Sequence, residues 1–234
     1  MLGQEIYRIK SNTEFRTFVQ ASTFSEIVGG QASIAPVGSG ISGFFVEAQM
    51  PNIIQTRTQS GEDVSGPKYQ VNDYQIAAST HLANNELNSG NMIVGDKNGN
   101  IIPQKALKDV PDISVNLVKA WSMQESHAGT NGSILQVNNN GDFTPDKTAI
   151  GITKGATFST NKEINLSIRY AIGKGFSSSP NYSKDGSGKI ISRNWSWRGW
   201  NEAIKGYNGG GVKGYEKYIQ TMLNQSRTPK PSNY

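Results

Sequence analysis

The strongest constraint on this chain is an apolar helical face that runs straight into a glutamate. Ile113, Leu117, Val118 and Trp121 recur with the spacing of one side of an α-helix. Pro111 and Asp112 suit its start, as an early proline and an N-terminal acid should. The face delivers Glu125 to the C-terminal end, where Gly129 and the Thr-Asn-Gly run after it stop the helix. A carboxyl group there lies beside unpaired carbonyls and the negative end of the helix dipole, which raises its pKa. Such a group is suited to general-acid chemistry.

Composition narrows the classes. The chain has no cysteine, which removes thiol catalysis and disulfides. Its two histidines, His81 and His127, are too few for a histidine-rich metal site, and no metal or other cofactor is expected. No apolar run reaches the roughly 18 residues of a membrane span. Residues 1–66 carry four Lys/Arg against six Asp/Glu, and residues 67–234 carry nineteen against twelve. The basic part suits a polyanionic partner, or is simply a solvated basic surface. The lysines are scattered and no RNA- or DNA-binding motif is found, so nucleic acid is not the expected partner.

Four blocks, in order, resemble the lysozyme superfamily, specifically its soluble lytic transglycosylases and goose-type lysozymes (glycoside hydrolase family 23). Glu125-Ser126 looks like that family's catalytic Glu-Ser at a helix end. Ser133-Ile-Leu-Gln136-Val is similar to its Gly-Leu-Met-Gln-Leu/Val strand. Ile164, Ser167 and Tyr170 match its Ile-x-x-Gly-x-x-Tyr. Trp200-Asn-Glu-Ala203-Ile-Lys-Gly-Tyr207-Asn208-Gly209-Gly210 resembles its Trp-x-x-Ala-x-x-x-Tyr-Asn-Gly-Gly block. The blocks span about residues 110–222, half of the chain.

The resemblance implies a mainly helical α+β, lysozyme-like fold with a small β element beside a substrate groove. It implies cleavage of peptidoglycan strands between N-acetylmuramic acid and N-acetylglucosamine, with Glu125 as general acid. Either water then attacks, or the muramic 6-hydroxyl attacks and leaves a 1,6-anhydro end. Ser126, Gln136, Asn138, Tyr170, Tyr207 and Asn208 are the substrate-binding residues implied; helix core is the other reading of Tyr170. Ser126 reads as a support for the acid. The Trp195-Ser-Trp197-Arg-Gly-Trp200 cluster offers sugar stacking or packing.

Two departures from the family matter. Goose-type lysozymes commonly place an aspartate after Gln-Val, and this chain has Asn138, which cannot act as a base. That leans toward a layout with one catalytic glutamate. Asp142 is the first candidate for a second catalytic carboxylate, with Asp146 beside it; the other reading is that both cap turns. Only ten residues separate Glu125 from Gln136, fewer than usual, so the groove should be open there. Non-catalytic glycan binding on the same scaffold and chitin cleavage remain alternatives.

The rest of the chain is read in order. Residues 1–66 form an extension or adaptor, with a short helix expected over 13–19 and a strand at Gly43-Phe-Phe-Val-Glu-Ala48. Residues 67–234 form the catalytic domain, with helices over 69–87, 161–172, 195–207 and 212–223, a strand at 133–137 and a hairpin over 173–193. The N-terminus has no apolar signal core. A wall-cutting enzyme of this kind would reach the periplasm or cell wall through a dedicated secretion apparatus, a phage route or a larger parent chain. An immunity or inhibitor protein is a further partner expected on that reading.

Overall fold

In a computed structural model of the protein, residues 53, 55–58, 60–64, 66–139, 143–177, 181–188 and 190–226 are described, together with the backbone of four strands within residues 1–50. Those strands are β1 (Glu5–Ile9), β2 (Thr17–Val19), β3 (Ala32–Pro36) and β4 (Phe44–Ala48), in the order β2-β1-β4-β3. β1 runs parallel to β4 with Glu5 opposite Phe44, and the outer pairs are antiparallel. The strand expected at 43–48 is therefore present. The helix expected over 13–19 is not, because Thr17-Phe-Val joins the β1 ladder, as β-branched and aromatic residues favour.

After a short turn of tight helix at Pro67–Tyr69, the remainder is mainly helical. The helices are α1 (Asp73–Asn88), α2 (Gln104–Leu107), α3 (Val115–Ser126), α4 (Pro145–Ala149), α5 (Thr160–Gly175), α6 (Trp200–Tyr207) and α7 (Tyr215–Asn224). A two-stranded hairpin, β5 (Asn181–Lys184) and β6 (Ile190–Asn194), stands between α5 and α6. The class is α+β and mainly helical. Among the described residues no helix is long and apolar enough to cross a membrane.

One core joins these helices. Ile76 of α1, Val118 and Trp121 of α3, Ile164 and Ile172 of α5, Ile204 of α6 and Ile219 of α7 are all buried in it. α5 packs on α1 and α6, and α3 packs on α1 and α7. The approach of the 91–101 turn to α5 is so close that a Cβ on Gly173 would lie 2.2 Å from the Gly95 carbonyl oxygen. Only glycine fits there. Val64, on the N-terminal side of the expected boundary at residue 66, belongs to the same core.

Ion pairs tie helices across this core. Lys119 of α3 is buried and bonds both Asp73 and the Tyr69 carbonyl. Burial pushes the Asp73 carboxyl up, and Lys119 opposes that. Removing one partner of such a pair leaves the other charge stranded, at a cost of about 3–5 kcal/mol. Arg169 of α5 bonds Glu86 of α1 at 2.8 Å, so Glu86 is a cross-helix tie rather than a free surface charge.

Candidate active site

Helix α3 explains where Glu125 sits. Ser114, not Asp112, caps its start: the Ser114 hydroxyl accepts the Leu117 N–H at 3.1 Å. The apolar stripe then buries Val118 and Trp121 completely. The end is abrupt. His127, Ala128 and Gly129 have φ values of 50°, 57° and 89°, three successive left-handed residues. Two of them are not glycine, a conformation that must be held from outside. Asn72 does so, donating its side-chain N–H to the Ala128 carbonyl at 2.8 Å. A Cβ on Gly129 would fall 2.5 Å from that same Asn72 nitrogen, so this position requires glycine. The helix end is thus fixed, and Glu125 with it.

Glu125 is half-buried, and its Oε1 accepts a hydrogen bond from the Tyr215 hydroxyl of α7. Trp121 Nε1 donates to that same hydroxyl at 2.9 Å. The indole can only donate, so Tyr215 receives from Trp121 and gives its own proton to Glu125. Burial raises the Glu125 pKa; the Tyr215 hydrogen bond works against this, and the nearby charge of Glu163 adds to the rise. The raised direction is the one expected from the sequence, but burial leads the causes. Burial and the adjacent Glu125 also push the Tyr215 phenol well up, which keeps it a neutral donor.

The segment expected as a strand over 133–137 is not one. The backbone N–H groups of Ile134, Leu135 and Gln136 all donate to the buried carboxylate of Glu163, at 3.2, 2.8 and 2.7 Å. The Ser133 hydroxyl donates to it at 2.5 Å. Donors that would have served a strand ladder are spent on one side chain, and the backbone wraps around it. Gln136 ends the wrap at a φ of 56° and donates Nε2 to the Glu125 carbonyl at 2.5 Å. Ser126 closes the other side: its hydroxyl donates to the Ile134 carbonyl and accepts from the Gly129 N–H, both at 2.7 Å.

The other residues singled out in the sequence divide into supports and surface groups. Tyr207 is buried, with its hydroxyl on the Leu135 carbonyl at 2.7 Å and its ring edge-on to Trp121. Tyr170 is buried against Tyr207, with Lys147 and Lys174 over its ring. Both tyrosines back the site from inside the core, a correction to their expected place in the groove. Asn138 bonds the Ala156 carbonyl and Asn208 bonds the Val212 carbonyl, each holding a loop. Asp146 is buried and paired with Lys174 at 2.6 Å. Asp142 lies outside the described residues. Trp197 and Trp200 pack edge-on, and Trp200 Nε1 bonds the Pro111 carbonyl at 3.0 Å, which is packing rather than an open stacking face.

Two residues of the site were missed in the sequence, Tyr215 and Glu163. A faint signal exists for each. Tyr215 opens the apolar stripe that continues with Ile219 and Met222, and Glu163 sits directly before Ile164 at the start of a helix. Among the described residues no group of His, Asp or Glu side chains is arranged to hold a metal ion.

The chain matches no family model, no curated protein and no solved structure. The chemistry therefore rests on the geometry alone: a carboxyl group with a raised pKa, oriented by Tyr215, at the rim of a rigid helix end. A group of this kind is chemically able to give up a proton and take it back.

Proposed function

We propose that this chain cleaves peptidoglycan strands between N-acetylmuramic acid and N-acetylglucosamine, on a lysozyme-like scaffold. The observation that carries the reading is the half-buried Glu125, its carboxyl pushed up by burial and held by Tyr215. The neutral acid gives its proton to the bridging oxygen as the bond from that oxygen to muramic C1 breaks. Tyr215 occupies Oε1, which leaves Oε2 to carry that proton. The resulting carboxylate then accepts a proton from the group that attacks C1.

The attacking group in this reading is the muramic 6-hydroxyl. A hydrolase needs a second carboxylate to orient water. Glu163 has its oxygens taken by four donors, and Asp146 is paired with Lys174. Neither is poised to activate a water molecule. Asn138 is an amide where an acid would serve. With the 6-hydroxyl as nucleophile the substrate brings its own attacker. The basic balance of residues 67–234 suits an anionic wall polymer in the periplasm or cell wall.

Digestion of purified sacculi with mass spectrometry of the products tests this. Strand ends lighter by one water are expected, and Asp142→Asn should retain most of the activity. Reducing muramic ends, lost together in Asp142→Asn and Glu125→Gln, would make the protein a two-carboxylate hydrolase instead.

A further inference from the structure

Four Asn-Gly pairs occur in the chain, at residues 98–99, 131–132, 140–141 and 208–209. In such a pair the glycine nitrogen can attack the side-chain amide of the asparagine, because no side chain on the glycine blocks the approach. The attack needs an open amide and a glycine N–H that holds no hydrogen bond. Pair 140–141 lies outside the described residues. In two of the others the glycine is tied. The Gly99 N–H donates to the Asp96 carbonyl at 2.8 Å, and the Gly209 N–H donates to the Gly206 carbonyl at 3.2 Å. The Asn208 amide is also held, on the Val212 carbonyl at 3.1 Å.

Asn131-Gly132 is different. Both residues are exposed, and the Gly132 N–H has no hydrogen-bond partner among the described residues. Gly132 has a φ of 110° with open space where a side chain would stand, so nothing crowds its nitrogen. The amide also has a neighbour suited to its departure. Asn131 Nδ2 lies 2.9 Å from His127 Nδ1. An imidazole takes up and returns protons near neutral pH. A proton carried on Nδ1 lies on the path to the amide nitrogen. The left-handed backbone of His127, at a φ of 50°, and the edge contact of its ring with Tyr69 aim the imidazole.

We propose that Asn131 is a self-modification site, where Gly132 closes on the side chain and His127 helps the amide leave. The Gly132 nitrogen bonds to Asn131 Cγ and gives its proton to solvent. The Cγ–Nδ2 bond breaks, Nδ2 takes a proton from His127 Nδ1, and ammonia departs; the ring recovers its proton from solvent. Water then opens the cyclic imide at either carbonyl, which leaves aspartate or isoaspartate. In isoaspartate the main chain runs through Cβ and so gains an atom. That atom falls between fixed points. Upstream, the Asn131 N–H donates to the Ser126 carbonyl at 3.0 Å. Downstream, residues 133–136 are bound to Glu163. Ser126 and Gln136 join this bracket to the helix end that carries Glu125, so the longer backbone distorts the surroundings of the acid. On the glycan-cleaving reading, on which this consequence rests, the modified chain is a weakened enzyme.

The test stores the full chain in mildly alkaline buffer and follows its peptides by mass spectrometry. The peptide holding Asn131 should exchange ammonia for water first, giving aspartyl and isoaspartyl products, while Asn98 and Asn208 keep their amides. His127→Asn retains a residue that tolerates the left-handed backbone and removes the imidazole. Amide loss at Asn131 should then slow about tenfold or more. Loss at Asn98 or Asn208 first, or an equal rate without the imidazole, overturns the proposal. Asn131→Gln, whose longer side chain closes a ring far more slowly, should keep its clearing of sacculi during storage, while the parent chain loses clearing in step with isoaspartate. Clearing that survives full conversion overturns the consequence drawn for the acid. The two readings fail separately. A chain that cuts nothing but loses the Asn131 amide sinks the enzyme and keeps the modification, whereas an active chain whose Asn131 stays intact does the reverse.

Discussion

Glu125 and Glu163 occupy opposite ends of their helices and meet opposite surroundings. Glu125 is in the last turn of α3, where the helix dipole disfavours negative charge, and a phenol donates to it. Glu163 is in the first turn of α5, where the dipole favours negative charge, and four donors converge on it. One carboxyl is left with spare capacity in a partly dry place, and its pKa rises. The other is filled and works as a bracket for the 133–136 backbone. Burial alone, then, does not separate the two carboxyls: they differ in the number of donors they accept and in the helix end they occupy.

The largest effect should come from Glu125→Gln. The amide is nearly isosteric but holds no transferable proton, so clearing of sacculi should fall at least about a hundredfold, with the circular dichroism spectrum unchanged. Near-native clearing would end the assignment of Glu125 as the acid. Glu163→Leu should show its effect in folding instead. Three backbone N–H groups and the Ser133 hydroxyl lose their acceptor, and at about 1–3 kcal/mol for each stranded group the loss should reach about 3 kcal/mol or more even after partial relaxation. A urea melt that matches the parent would show that Glu163 is no anchor.

Tyr215→Phe tests the contrast more finely by removing the phenol that donates to Glu125. That hydrogen bond favours the ionised acid, so its loss should raise the pKa further and move the alkaline limb of the activity profile to higher pH. Trp121 Nε1 loses its acceptor, and stability should fall by about 1–2 kcal/mol. A profile that stays in place would mean the phenol does not tune the acid.

The smallest effect is the pH dependence of stability. The folded Glu125 pKa lies above its ordinary 4.5, so the folded state holds the proton more tightly than the unfolded chain. This group's effect is absent below the ordinary value, and it costs stability as pH rises toward the folded value. Glu125→Gln should therefore gain stability relative to the parent chain over that rise and keep the gain above it. A difference that is flat with pH, measured by chemical denaturation, would contradict the raised pKa.

Local sequence was enough to specify the helices that carry an apolar stripe, the arrival of Glu125 at a helix end, and the direction of its pKa. The periodicity of Ile113, Leu117, Val118 and Trp121 states which face is buried, and chain order places the glutamate one turn beyond. The surroundings of the acid came from tertiary packing instead. Tyr215 reaches Glu125 across 90 residues, and Glu163 captures the Leu135 N–H across 28. No local pattern encodes such a pairing, so a short apolar run at 133–137 reads as a strand until one distant carboxylate takes its donors. The same holds for Tyr170 and Tyr207, whose residue types suit a groove but which are packed inside the core. A hydrogen bond is worth little to an isolated segment in water, and it becomes decisive only once the core has excluded the water that competes for it.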